Sequence, residues 1–284
     1  MHKLIPKNSF ARRNLADLYA YINGYDLMIR IDDDNFPMSD NFFMEHSITG
    51  TNQNLNVVSA SSGWFNVCEV LTDKQSIPFY PRGFPYESKW VEQQISVTEE
   101  NIKVGLNGGL WLGDPDVDAI TRLVKPIDAI NFNHSVYGKN FALCKNTWSP
   151  INTQNTSYIR ELIPIAFVSP YSGRFDDILC GYFMKKIMDH LDLYVSFGLP
   201  LLNQVRNIHN LWSDLDKERV GSQTSQKLTD IIKSIELKSN NPLSCYNELI
   251  IKTEELVDFN LDFYGPIFKS MKDWIDSVEQ YIKD

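Results

Sequence analysis

Leu27-Met28-Ile29-Arg30-Ile31-Asp32-Asp33-Asp34 drives a short, mostly aliphatic run straight into three carboxylates. A run of that length and composition predicts a strand, with the acidic triplet at its end. Hard divalent cations prefer carboxylate oxygens. Mg²⁺ or Mn²⁺ held by one or two of them completes its shell with water and phosphate oxygens. Alternation along an extended backbone puts Asp32 and Asp34 on one face and sends Asp33 to the other. Asp32 and Asp34 are therefore the expected metal pair, leaving Asp33 for a ribose or a structural donor. A solvated acidic turn is the competing reading of an isolated Asp run.

Ahead of the triplet, Leu15, Leu18, Tyr19 and Ile22 follow helical spacing, with Asn8 or Ser9 available as a cap and Gly24 as a stop. Helix, tight turn, strand and carboxylates make one α/β unit, and ligands of such sheets bind beyond the carboxyl ends of the strands. Only Leu4-Ile5-Pro6 precedes the helix, so the sheet is expected to lack its first strands. Downstream, residues 41–60 predict a short amphipathic helix and then a strand at 56–60. Residues 74–92, rich in Pro, Gly and aromatics, predict an ordered loop. Strands are expected at 102–106, 110–112 and 141–143, and a short helix at 116–124. Helical periodicity returns over 178–191, where Asp176 is placed to cap the start. After Ser213 three amphipathic helices follow, the last marked by Phe268, Met271, Trp274, Ile275 and Val278. The expected fold is α/β, a mixed sheet flanked by helices in residues 1–212 with a helical subdomain in 213–284.

Composition excludes several classes. The 284 residues carry a formal charge of −9, which argues against a broad nucleic-acid surface. Cys68, Cys144, Cys180 and Cys245 are scattered and read as reduced thiols. No apolar stretch approaches the roughly 20 residues that span a bilayer, and the start lacks the apolar core of a signal peptide, so a cytoplasmic setting is expected. His2, His46, His134 and His190 show no metal-ligand spacing and receive no role.

Phe10-Ala11-Arg12-Arg13-Asn14-Leu15 ahead of Ile31-Asp32-Asp33-Asp34-Asn35 resembles the helix and acidic strand of GT-A nucleotide-sugar glycosyltransferases. Three further segments occur in the order found in reversibly glycosylated polypeptides, the UDP-arabinopyranose mutases, and in related STELLO-type glycosyltransferases. They are Tyr80-Pro81-Arg82-Gly83-Phe84-Pro85, then Gly109-Leu110-Trp111-Leu112 with Pro115-Asp116-Val117-Asp118-Ala119, and Gly173-Arg174-Phe175-Asp176-Asp177. The resemblance covers residues 8–220, and Arg206-Asn207-Ile208-His209-Asn210-Leu211 looks closer to the STELLO type.

This resemblance implies a GT-A-like fold, a UDP-sugar donor, Mn²⁺ or Mg²⁺, and a glycan or protein acceptor. It places metal and diphosphate at Asp32 and Asp34, and cofactor contacts at Arg13, Asn14, Asp32 and Asp33; Arg13 alternatively anchors the triplet. It gives Arg82 a part in sugar attachment or handling, against the alternative of a bridge from its loop to a carboxylate. In inverting enzymes of this fold a carboxylate at the Asp176-Asp177 position is the general base. Asp177 is preferred, with Asp176 as cap or sugar-hydroxyl ligand. His209 is the candidate third metal ligand. The mutases carry a histidine soon after their Gly-Leu-Pro, whereas here Gly198-Leu199-Pro200 runs into Leu201-Leu202-Asn203. A metal-dependent glycosyltransferase is therefore expected ahead of a mutase, with a non-catalytic scaffold as the third reading and oligomerisation expected through the C-terminal helices.

Overall fold

The first α/β unit forms as its spacing predicts. In the computed structural model, which describes residues 4–282 and so leaves His2 outside, the Ser9 hydroxyl accepts the Ala11 amide at 3.2 Å. A 3-10 turn at Phe10–Arg12 leads into α1 (Arg13–Ile22), and β1 (Leu27–Ile31) follows. The chain does not stay extended through the carboxylates. The Asn35 amide donates to the Asp32 carbonyl at 3.2 Å, closing a tight turn that opens into β2 (Asn35–Pro37). Strand alternation thus does not set the directions of Asp32, Asp33 and Asp34; they project from a turn.

After α2 (Phe42–Glu45) come β3 (Asn52–Ala60), β4 (Leu71–Asp73) and the long β5 (Ile95–Gly113). The two strands expected at 102–106 and 110–112 are one. The glycines between them serve close approach instead of a break, since a Cβ on Gly109 would sit 2.2 Å from the Asn155 side chain and 2.5 Å from the Pro200 carbonyl. Next are α3 (Ala119–Val124), β6 (Ala129–Phe132), β7 (Asn140–Leu143), β8 (Asn155–Ile159), α4 (Asp176–His190) and β9 (Tyr194–Gln204). They build one mixed sheet with the path β1-β8-β5-β3-β7-β9-β2, and β4 and β6 attach at the side. Helices α5 (Leu211–Ser234), α6 (Pro242–Leu256) and α7 (Leu261–Ile282) complete the chain.

The boundary expected near residue 213 coincides with the start of α5, yet one hydrophobic cluster runs from Leu18 and Trp64 through Phe183 to Trp274 and Val278. Trp274 stacks on Phe167 with ring centroids 5.1 Å apart and donates to the Pro164 carbonyl at 2.8 Å. The apolar stripe of α7 is spent within the chain, against α6, α1 and the segment at Pro164 and Phe167. That removes the ground for expecting self-association through it. The four cysteines are free thiols, and no described helix is long and apolar enough to cross a membrane.

Between α1 and the sheet lies a buried ion pair. Arg30 of β1 holds Asp17 of α1 through two nitrogens and also donates to the Ala166 carbonyl at 2.7 Å, while the Tyr158 hydroxyl donates to Asp17 at 2.9 Å. Removing one member of such a pair strands the other charge in the core. Arg30→Met is therefore expected to destabilise the fold by about 3–5 kcal/mol, read as a lowered urea midpoint.

Candidate functional site

The carboxyl ends of β1, β5 and β9 meet at one edge of the sheet, as Asp114 donates its amide to Gln204 and Val205 donates to the Asp34 carbonyl. There the acidic turn, the Arg82 loop, the segment 114–118 and the start of α4 come together. The loop is clamped from below: Gly83 has φ +84°, a Cβ there would lie 2.4 Å from Ile178, and the Tyr182 hydroxyl donates to the Gly83 carbonyl. Only glycine fits that contact. It aims Arg82 inward.

Arg82 is 7 % exposed and grips Asp116 with Nε at 3.1 Å and Nη2 at 2.9 Å. Nη2 also reaches Asp177 at 3.1 Å, and Nη1 donates to the Arg174 carbonyl. Burial opposes charge on Asp116, but Arg82 and then Arg206 hold its carboxyl below the usual range. The same carboxylates hold the buried Arg82 firmly protonated. Asp177 is used up internally, accepting also the amides of Thr153 at 3.3 Å and Ile178 at 2.9 Å.

Asp176 is different. It is the first residue of α4, inside the cap position, which Phe175 occupies, and its carboxyl takes a hydrogen bond from the Asp177 backbone amide at the helix start. Half-buried, it lines a cleft of about 460 Å³ with Arg82, Arg174 and His209. Burial, reinforced by the charge of Asp177, pushes its carboxyl up to about 7 against the pull of Arg82 and Arg13. Asp32 is pushed up to about 6, chiefly by burial, although Arg13 lies 3.2 Å away and opposes the shift. Arg13 thus anchors the acidic turn, with a second hold on the Thr153 hydroxyl.

Other expected residues fall elsewhere. Asn14 is fully buried and exchanges hydrogen bonds with the backbone of Val168 at 2.8 and 2.9 Å, which commits its side chain to the scaffold. Asp33 is exposed on the turn. Asp34 takes the Asn35 amide group at 3.0 Å and the Asn207 backbone amide at 3.4 Å. His209 pairs through Nδ1 with Asp214 at 3.0 Å. Among the described residues no group of three or more His, Cys, Asp or Glu could hold a metal ion, so Asp32, Asp34 and His209 are not assembled as a ligand set. His209 instead stands where the Arg82 cleft meets a larger one of about 600 Å³. Asp116 and Arg206 stand in the sequence only as parts of motifs; Asp116 meets Arg82 and Arg206 across 34 and 90 positions, too far to be seen from spacing.

The acidic turn, the clamped Arg82 and the raised carboxyl of Asp176 lie together at the strand ends of a mixed α/β sheet. The chain belongs to the reversibly glycosylated polypeptide family, whose model matches residues 17–282. It is 26 % identical over 209 residues to probable UDP-arabinopyranose mutase 4 of Arabidopsis thaliana, covering 71 % of this chain and 54 % of that one. UDP-arabinopyranose mutase 1 of the same plant is 27 % identical over 209 residues, covering 71 % and 55 %. Probable UDP-arabinopyranose mutase 1 of Pisum sativum is 26 % identical over 259 residues, covering 88 % and 66 %. The chain spans about half the length of the first two relatives. All three relatives are named as mutases, the activity expected second from the sequence.

The raised carboxyl of Asp176 has a stability consequence. With the folded value near 7 against an ordinary 3.8, its contribution is complete below about pH 4 and is lost as pH rises through 7. Asp176→Asn escapes that loss. It is expected to melt on the order of 2 °C or more above the wild type at pH 8, with the gap closing towards pH 4, in thermal unfolding followed by circular dichroism.

Proposed function

We propose that the chain binds a UDP-sugar in the Arg82 cleft and interconverts ring forms of the sugar, as a mutase of the UDP-arabinopyranose type. The observation that carries this reading is Asp176, a half-buried carboxyl near neutrality in the same cleft as Arg82, within the span that matches the family. Exchange between ring sizes breaks the bond from C1 to the ring oxygen, forms one from C1 to the 4-hydroxyl oxygen and moves that hydroxyl's proton to the freed ring oxygen. A carboxyl with a value near 7 both gives and takes a proton efficiently at physiological pH. Asp176 is assigned that work, and Asp177, bound to Arg82, holds the guanidinium in place. Arg82, kept protonated, donates hydrogen bonds and positive charge beside the diphosphate, which leaves C1 and rejoins it once the ring has changed size.

Mn²⁺ or Mg²⁺ is proposed at the acidic turn. Asp32 and Asp34 are hard oxygen donors, and the burial that disfavours charge on Asp32 is a cost that a cation offsets. Two carboxylates suit an ion that draws its remaining ligands from water and phosphate. When bound, the ion neutralises charge on the leaving diphosphate. Transfer of the sugar to a glycan or protein acceptor is the second reading, favoured by the absence of a histidine directly after Gly198-Leu199-Pro200.

Incubation with UDP-arabinopyranose and Mn²⁺, without acceptor, is expected to yield the furanose form on chromatography. Asp176→Asn should retain UDP binding and lose at least about 100-fold in exchange rate. Asp34→Ala should lose the metal-dependent part of UDP binding in calorimetry. Sugar appearing on an added acceptor with no ring exchange would refute the mutase and leave the transferase.

A further inference from the structure

The larger cleft contains an arginine pair that the chemistry above does not use. Arg122 of α3 and Arg206, just after β9, line it together with Gly113, Asp114, Asn207 and His209. Each arginine side chain is only 9 % exposed. Arg122 gives its terminal nitrogens to Asp114 and the Pro115 carbonyl, and Arg206 gives Nη2 to Asp116 at 3.3 Å. The Nε of both, and Oε1 of the adjoining Gln204, are buried without a hydrogen-bond partner. Arg206 Nε lies 3.8 Å from Asp114, too far for a hydrogen bond. Burial, and then the neighbouring Arg206, lower the pKa of Arg122, so the pair is held together at a cost.

We infer that Arg122 and Arg206 seat the diphosphate of the UDP-sugar, placing the nucleotide side in this cleft and the sugar in the Arg82 cleft. The inference rests on the UDP-sugar reading above and gives its ligand a direction. Guanidinium forks match phosphate oxygens, and one dianionic group relieves both the mutual repulsion and the unmet donors. The acidic turn borders the same cleft, because Asp34 accepts the amide of Asn207, which lines it. His209 marks the junction through which diphosphate and sugar remain connected. Two carboxylates also line the cleft, Asp114 and the exposed Asp128. Asp114, its side chain 38 % exposed, is bound to Arg122 and near Arg206, so it competes directly with an incoming phosphate.

That competition supplies the test. Calorimetry with sodium pyrophosphate in metal-free buffer should show binding to the wild-type chain. Arg122→Gln and Arg206→Gln should each weaken it at least about tenfold, as expected for loss of a charge-assisted bidentate contact. Asp114→Asn should tighten it several-fold, an effect that a purely structural ion-pair network would not produce. This half-exposed site keeps the question decidable should Arg206→Gln fail to fold. No pyrophosphate binding by the wild type, unchanged affinity in both arginine variants, or weaker binding in Asp114→Asn overturns the seat. Ring exchange in Arg122→Gln with an unaltered KM for UDP-arabinopyranose also overturns it while the mutase reading stands. The predicted binding pattern without ring exchange by the wild type supports the seat and rejects the mutase.

Discussion

The functional end of this molecule depends on one buried contact, the grip of Arg82 on Asp116 and Asp177. Those three residues come from a loop, a strand-to-helix connection and a helix start that share no local sequence, and their charges are nearly inaccessible to water. Burying charges is costly, and the cost is offset only where every partner is satisfied. Here the fork of Arg82 meets Asp116 through two nitrogens, and the remaining acceptors belong to Asp177 and the Arg174 carbonyl. The consequence reaches beyond stability. By committing Asp177 to the network, Arg82 leaves Asp176 as the carboxyl that faces the cleft.

Charge is distributed unevenly around that contact. Asp116 is kept ionised by two arginines, whereas the carboxyls of Asp32 and Asp176 are pushed up by burial and then by the charge of Asp177. Carboxyls whose surroundings push them in opposite directions divide labour between scaffold and chemistry. A polar spine of a different kind supports the sheet. His46, held neutral by burial with its value down to about 4, contacts Asn155, which in turn donates to the carbonyls of Leu110 and Pro200. These bonds fasten β8 to β5 and β9 near the strand ends that carry the site.

Much of this was legible before the fold was known. The Leu27–Ile31 strand, α1, the helix after Asp177 and the three C-terminal helices follow from periodicity, and the Arg82 loop stood out as constrained by its prolines and glycine. The rest was hidden for physical reasons. Strand β8 buries Asn155, Thr156 and Ser157, so its polar residues erase the alternation that marks a half-buried strand. The glycines of β5 look like breaks until the backbones they approach are in view. Asp32 to Asn35 form a turn whose closing bond has no residue signature beyond the Asp run itself. Asp176 and Asp177 are neighbours in sequence, and only the location of Arg82 tells them apart. Arg206 meets Asp116 across 90 positions, a separation that no spacing rule covers.

Gly83 carries one more implication. Its bare backbone leans on Ile178 while its carbonyl takes the hydroxyl of Tyr182, so the loop touches α4 at two points one turn apart. Such a footing fixes the azimuth of the helix as a keyway fixes a shaft. Successive residues on a helix differ by about 100° in direction, and a roll of α4 by that angle would exchange the carboxyl presented outward for the one kept inside. The missing side chain of one glycine thereby indexes which acid faces the cleft.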